Sequence, residues 1–307
     1  PDIRESHEAA SIPTCKANGS EAVRPVGSRG ISMPDFTANL TEYAFKEGDL
    51  YIGEIKGHAL GVTTNRHAIT VAGSRTGKGV GVINTNLRTW PHNALVIDPK
   101  GEAASVSWKA REEKGQAVYV LDPFGRANIP SRLIASYNPL DDLDVNALTI
   151  AEDIDSIADG IVMRSGEGDP YWDDGGMAVI SGLIAFVMDR VKPADRNLIT
   201  VRQILIDQRE GGAFETVIDE MANSKHPTLA DLMRSGAGRV AMKEGAYFIS
   251  NALSHTKWLS SKGMRATLSR SSFSMNELKR GKVSVFVALP FKYLPQQQHG
   301  RLLRLMV

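Results

Sequence analysis

Between residues 67 and 123 the chain alternates short apolar runs with stretches of helical character. HAITVAG (67–73), NALVIDP (93–99) and AVYVLDP (117–123) have strand length and close on Gly or Pro. The segment from Gly79 to about Thr89 reads as a helix. So does SVSWKAREEKG (105–115), with Gly115 as its stop. Short buried runs separated by helices predict a mainly parallel sheet covered on both faces.

After YNPL (137–140) the strand signal ceases. Ile150, Ile154, Ile157 and Ile161 recur at helix spacing. Ile180, Leu183, Ile184 and Val187 do the same, and so do Phe214, Val217, Ile218 and Met221. Thr200 with Gln203 reads as a capping box opening the helix between the last two sets. KVSVFVALP (282–290) returns as a buried strand. The pattern predicts an α/β domain over 46–141 and 279–307, interrupted by an inserted all-α domain over 142–278. Residues 1–45 lack sustained periodicity and read as a mobile arm or linker.

Composition narrows this little. The 307 residues are 42% apolar and 23% charged, ordinary for a globular protein, and the net charge is +1. That excludes a globally basic nucleic-acid binder, so any such contact needs a local patch. Cys15 is the single cysteine, which excludes an internal disulfide and suits a reducing compartment. The seven histidines show no metal-ligand spacing. The best apolar helix, AVISGLIAFVM (178–188), falls well short of the roughly 20 residues that cross a bilayer. The chain starts on Pro1 and carries no signal peptide. It ends on QHGRLLRLMV, where Leu302, Leu303 and Met306 keep helix spacing with no stop signal, so a fragment is expected.

The chemistry concentrates at AGSRTGKG (72–79). A strand, a glycine-rich turn and a helix gather backbone N–H groups and a helix N-terminus around one anion, and a lysine adds mobile charge. The usual pattern is G-x-x-x-x-G-K-[ST]. Here Ala72 replaces the first glycine and Gly79 the hydroxyl residue. The expected phosphate contacts are Gly73, Ser74, Arg75, Thr76, Gly77, Lys78, Gly79 and Val80. Without the hydroxyl, a magnesium ligand must come from Thr76, Ser74 or water. The plain alternative is a tight strand-to-helix turn with an exposed lysine.

The ordered series HAITVAGSRTGKGVGVINTNLRTWPHNALVIDPKGE, GQAVYVLDPFG, YNPL and DPYWDDGG resembles the coupling proteins of conjugative type IV secretion systems, TraG/TraD type. The resemblance covers nearly the whole chain. It implies a P-loop NTPase fold of the RecA/FtsK-like kind with an inserted all-helical domain. It also implies ATP with Mg2+ as cofactors, Lys78 on the β and γ phosphates, and Gly79 as the family's variant. Such proteins are hexameric ATPases at the cytoplasmic face of the inner membrane. They pass single-stranded DNA with its relaxase, or effector proteins, to secretion-channel components. Their Walker B carboxylates lie downstream of the strand that KVSVFVALP matches. The resemblance therefore implies that they fall outside this sequence, and that this chain alone is inactive as an ATPase. Two rival functions stand beside it: a nucleotide-dependent substrate receptor without hydrolysis, and a small-molecule P-loop kinase using Asp98.

Other residues carry open alternatives. Asp98 and Asp122 each end an apolar run as a Walker B aspartate does, or each merely turns the chain in an Asp-Pro step. Lys100 and Glu102 make DPKGE the stronger of the two, so Asp98 and Glu102 are tentative catalytic groups, and Asp98 is a tentative metal ligand. DPYWDDGG (169–176) reads as a metal or substrate contact, or as a helix cap by Asp173 or Asp174 with the aromatics packed beneath. From Ser254 to Lys282, Lys257, Lys262, Arg265 and Arg270 are candidate DNA contacts with Trp258 as a stacking partner; the alternative is a solvated face with Trp258 in the core. Ser274 with Glu277 reads as a capping box. Arg202, Arg209, Arg234 and Arg239 are too widely spread to form a patch.

Overall fold

The computed structural model describes residues 41–164, 169–209, 224–293 and 300–306. The predicted helix around Phe214–Met221 and the arm before residue 41 lie outside them. Contacts divide the chain after Glu42, and Tyr43–Val307 forms one compact unit.

That unit opens with a hairpin that the apolar pattern had not suggested. Strands β1 (Leu50–Ile55) and β2 (His58–Val62) pair antiparallel across Lys56–Gly57. Both turn residues have positive φ, 51° and 80°, as a two-residue turn of type I′ requires. Lys-Gly between two apolar runs was its signature. Phe45 N–H bonds Ala59 O and Gly61 N–H bonds Tyr43 O, so the chain just before β1 already lies on β2.

A π-helical turn, Gly79–Ile83, runs into α1 (Asn84–Thr89). Asn86 clamps α1 to the hairpin: its amide donates to Tyr51 O at 2.7 Å and its Oδ1 accepts from Tyr51 N at 2.8 Å. Next come β3 (Ala94–Ile97), α2 (Glu102–Glu113) and β4 (Ala117–Leu121). Strand β5 (Val283–Val287) enters between β3 and β4, parallel to both, and all five of its residues are buried. Its pleat divides the core. Val283, Val285 and Val287 face a large cluster with the helices, whereas Phe286 joins Val118, Val120 and Ala104 under α2.

Among the described residues, the stretch between β4 and β5 contains helices and no named strand. These are α3 (Ile150–Ile161), α4 (Pro170–Arg190), α5 (Leu198–Arg209), α6 (Pro227–Ala241), α7 (Gly245–Thr256), α8 (Lys262–Leu268) and α9 (Glu277–Arg280). α10 (Arg301–Arg304) follows β5. α4 is the hub, buried from Val179 through Met188. At Gly182 an added Cβ would lie 3.1 Å from Gly236 Cα, so α4 and α6 touch backbone to backbone. Ile154, Ile180, Leu183 and Ile184 share one hydrophobic core with Leu121 and the β5 valines, so helices and sheet are packed together.

Three local expectations need correction. HAITVAG forms no strand. Ile69 and Val71 are 88% and 85% exposed, and the run stands across an apolar groove of about 620 Å³ from β3. A strand exists only with a hydrogen-bonding neighbour, and β3, across the groove, keeps that edge unpaired among the described residues. α5 starts at Leu198, not Thr200. Asn197 caps it, Oδ1 accepting from Ile199 N and Thr200 N at 3.0 Å each, while the Thr200 hydroxyl donates to Asp195 O. At α4 the cap is Asp169, accepting from Tyr171 N at 3.0 Å, with Pro170 at the first helical position. Asp173 and Asp174 thereby fall inside the helix. The Ser274 box is half formed: Glu277 Oε1 accepts from Ser274 N, while the Ser274 hydroxyl bonds Asp142.

Candidate functional site

The glycine loop lies between the run 68–72, which has no regular secondary structure, and the π-helical turn. Two residues adopt left-handed backbone, Gly77 at φ 86° and Arg75 at φ 61°. At Gly77 an added Cβ would meet nothing within 4 Å, so the dihedral rather than space calls for glycine. Arg75 takes the same region without that freedom, a small local cost that the turn imposes. The Thr76 hydroxyl donates to Gly73 O at 2.8 Å. Lys78 Nζ curls back onto the loop's own carbonyls, Gly73 O at 3.1 Å and Ala72 O at 3.4 Å. Residues 73–77 are exposed, and Lys78 and Gly79 are half-buried. The turn thus presents a solvent-facing backbone, a helix N-terminus and one ammonium group, the parts an anion needs.

Arg111 holds this end of the molecule in place. Its side chain is fully buried. Nε donates to Ser284 Oγ on β5 at 2.7 Å, and the two Nη groups donate to Leu87 O in α1 and to Trp90 O and His92 O just beyond it. Gln116 adds bonds to Pro91 O and His92 O, both at 2.9 Å. Burial pushes the guanidinium down to about 10, so it stays charged at neutral pH. It fastens the helix that follows the glycine loop to α2 and to the sheet. Nothing in the sequence singled it out: it is one arginine in a charged helix.

The strand-end aspartates are engaged locally. Asp98 is 5% exposed, and its Oδ2 accepts from Ala104 N at 2.9 Å in the first turn of α2. Gly101 makes that return possible at φ 72°, where a Cβ would lie 2.6 Å from Ala127 N. Glu102 opens α2 in an exposed ion pair with Lys100 at 3.7 Å. Asp122 Oδ2 accepts from Ala127 N at 2.7 Å, so it also turns its loop. Among the described residues no cluster of three His, Cys, Asp or Glu could hold a metal ion.

Lys257, Lys262, Arg265 and Arg270 are exposed, and none forms an ion pair among the described residues. Arg202 lies behind them, bonded to Ser260 Oγ, Leu253 O and Thr256 Oγ1. Burial lowers its pKa and the charge of Arg265 lowers it further, so positive charge is concentrated here. Trp258 is 2% exposed and belongs to the core, which corrects its reading as a stacking partner. Exposed aromatics sit elsewhere, at Tyr171, Trp172 and Tyr247, and at Phe291 beyond β5.

A third constellation joins α4, α7 and α10. His255 Nδ1 accepts from Arg301 Nη2 at 3.1 Å, which leaves Nε2 to donate to Asp173 Oδ1, also at 3.1 Å. Asn251 bonds the same carboxylate oxygen. Burial holds His255 below its ordinary range, with Arg301 adding to the effect and Asp173 opposing it. Burial works against the Asp173 charge, but Asn251 and His255 together keep its carboxyl below the usual value.

These features define a mixed α/β protein on a parallel sheet, with a lysine-bearing glycine loop leading into a helix. A family model described as type IV secretory system conjugative DNA transfer matches residues 32–307, and the chain belongs to that family. It is 26% identical to the conjugal transfer protein TraG of Escherichia coli over 245 residues, 76% of this chain and 37% of that protein. It is 25% identical to the protein VirD4 of Rhizobium rhizogenes over 227 residues, 73% of this chain and 32% of that protein. TraG of Rhizobium radiobacter matches at 26% over 258 residues, 78% of this chain and 37% of that protein. The chain thus spans about a third of the length of these relatives. Among the described residues no helix is long and apolar enough to cross a membrane.

Proposed function

We propose that this chain is the ATP-binding part of a coupling ATPase that delivers single-stranded DNA, or DNA–protein and effector substrates, to a type IV secretion channel. Membership of the conjugative DNA transfer family across residues 32–307 carries this reading. The loop supports it locally. Residues 73–80 cradle the phosphates, and Lys78 leaves Gly73 O for the β and γ oxygens. Magnesium enters with the nucleotide and keeps mostly water ligands, because the loop offers only Thr76 and Ser74 hydroxyls and Asp98 is committed to α2. Hydrolysis occurs in a homo-oligomeric ring, a hexamer at the cytoplasmic face of the inner membrane, working with relaxase and channel components.

Lys78→Ala tests the site. Among the described residues the lysine makes only loop-carbonyl bonds, so its removal should leave the fold intact by circular dichroism. Calorimetric titration with MgATP should show at least a tenfold loss, about 1.4 kcal/mol or more. Equal affinity in variant and parent would remove the phosphate site.

A second reading, a nucleotide-dependent receptor without hydrolysis, gains from one observation: Asp98 and Asp122 each bond a backbone N–H of the following segment. The same observation counts against a kinase that uses Asp98 as its base. ATP turnover stimulated by single-stranded DNA separates motor from receptor.

A further inference from the structure

The first turns of α4 and α7 carry an aromatic surface that the proposed nucleotide site does not use. Tyr247 is 67% exposed, Trp172 38% and Tyr171 36%, although large aromatics are ordinarily well covered. The three rings touch edge to face in series. Tyr171 and Trp172 are 5.2 Å apart at 76°, and Trp172 and Tyr247 5.6 Å apart at 60°. Edge-to-face contact leaves ring faces free. Beneath them Phe248, fully buried, fixes Tyr171 at 5.3 Å and Trp172 at 5.8 Å. The platform is therefore held from below and open from above.

A cation accompanies it. The Arg239 guanidinium, from α6, stands 5.8 Å from the ring centres of both Tyr171 and Phe248. Lys243 is exposed in the link between α6 and α7. Neither forms an ion pair among the described residues. Of the carboxylates on these elements, Asp169 caps α4, Asp173 bonds Asn251 and His255, and Asp174 pairs with Arg164; Glu244, at the start of α7, is the acidic group next to Lys243.

We infer that this surface binds single-stranded nucleic acid by stacking bases on Trp172 and Tyr247, with Arg239 and Lys243 taking the adjoining phosphates. Fixed aromatic faces beside unpaired cations are what a flexible, base-exposing strand requires. α7 gives the strand a direction. Tyr247 lies in its first turn and exposed Lys257 follows its last residue, so the helix, about 18 Å long, joins the aromatic platform to the basic face. The inference rests on the DNA-delivery reading and adds where on this chain the bases lie.

The test is titration of the chain with an oligothymidylate of about 12 nucleotides, followed by tryptophan emission and by anisotropy of the labelled strand. Binding should quench emission in the parent but much less in Trp172→Phe. Tyr247→Ala, an exposed change that spares the fold, should weaken affinity about tenfold, and Trp172→Ala similarly. The salt slope should stay at the parent value in both aromatic variants, whereas Lys243→Ala, and Lys257→Ala at the far end of α7, should reduce it by about 0.7 each. If the oligonucleotide binds with Trp172 emission and Tyr247→Ala affinity unchanged, the platform is wrong while DNA delivery stands. If the parent binds no oligonucleotide at low salt, both readings fall. Quenching by a proline-rich peptide and not by the oligonucleotide would make the surface a peptide groove and overturn the inference.

Discussion

At the scale of single residues, placement rather than charge alone sets each role. Lys78 and Arg111 are both cations bonded to backbone carbonyls, but Lys78 is half-buried on a solvent-facing loop and Arg111 is sealed between α2 and β5. Under the proposed function, Lys78 exchanges its carbonyls for phosphate oxygens at little cost. Arg111 cannot leave without stranding the carbonyls of Leu87, Trp90 and His92 and the Ser284 hydroxyl. Arg111→Met keeps most of the volume and removes every donor. It should cost about 3 kcal/mol, the scale of leaving buried polar groups unpaired. Urea unfolding should show this as a lower midpoint at unchanged slope. A shift under about 0.5 kcal/mol would mean that water replaces the guanidinium.

At the scale of elements, the contacts at α4 make a pH-dependent joint. His255 accepts from Arg301 only while neutral, and burial holds it below its ordinary value of 6.5. In the unfolded chain it takes up a proton first. Stability is therefore greatest above about pH 6.5 and falls as pH drops from there toward the depressed folded value. Asp173, also lowered, adds a further loss only below its ordinary 3.8. His255→Gln should flatten the fall between about pH 7.5 and about pH 5.5 in denaturant titrations. An identical slope in the variant would place the titration elsewhere. Beside it, Gly236→Val should loosen α6 from α4, because even a Cβ there lies 2.8 Å from Ala178 O. A melting temperature equal to the parent's would show that the two helices can separate at no cost.

Elements with internal signals were legible in the sequence. Short continuous apolar runs gave β3, β4 and β5, and 3.6-residue spacing gave α3 and α4, because each pattern is written within one segment. Caps were read less well. Asp169 and Asn197 displaced Asp173 and Thr200, since several Asp, Asn or Thr near a helix start can each serve and the first helical dihedral decides. HAITVA failed as a strand because strandedness belongs to a pair, and its partner is not written in the run itself. In the glycine loop the residue types were plain from the sequence, whereas the engagement of Asp98 with α2 depends on Gly101, three residues later.

At the scale of the whole molecule, the open question is whether helices and sheet behave as one body or two. An inserted domain with its own core would unfold on its own. Here Val283, Val285 and Val287 of β5 and Leu121 of β4 pack in the same hydrophobic cluster as Ile154, Ile180, Leu183 and Ile184. Ser272 and Ser271, between the helices and β5, also bond the chain leaving β4, at Ser136 and Asn138. Removing the helices would expose one face of the sheet, and removing the sheet would expose the base of the helical layer. The chain from Tyr43 on should therefore unfold in one transition, with calorimetric and van't Hoff enthalpies equal. Amides of β5 and of α4 should then exchange hydrogen with the same global protection. Two heat-absorption peaks, with α4 protected through the first, would instead establish an independent helical domain, and the shared valines would be an interface rather than a core.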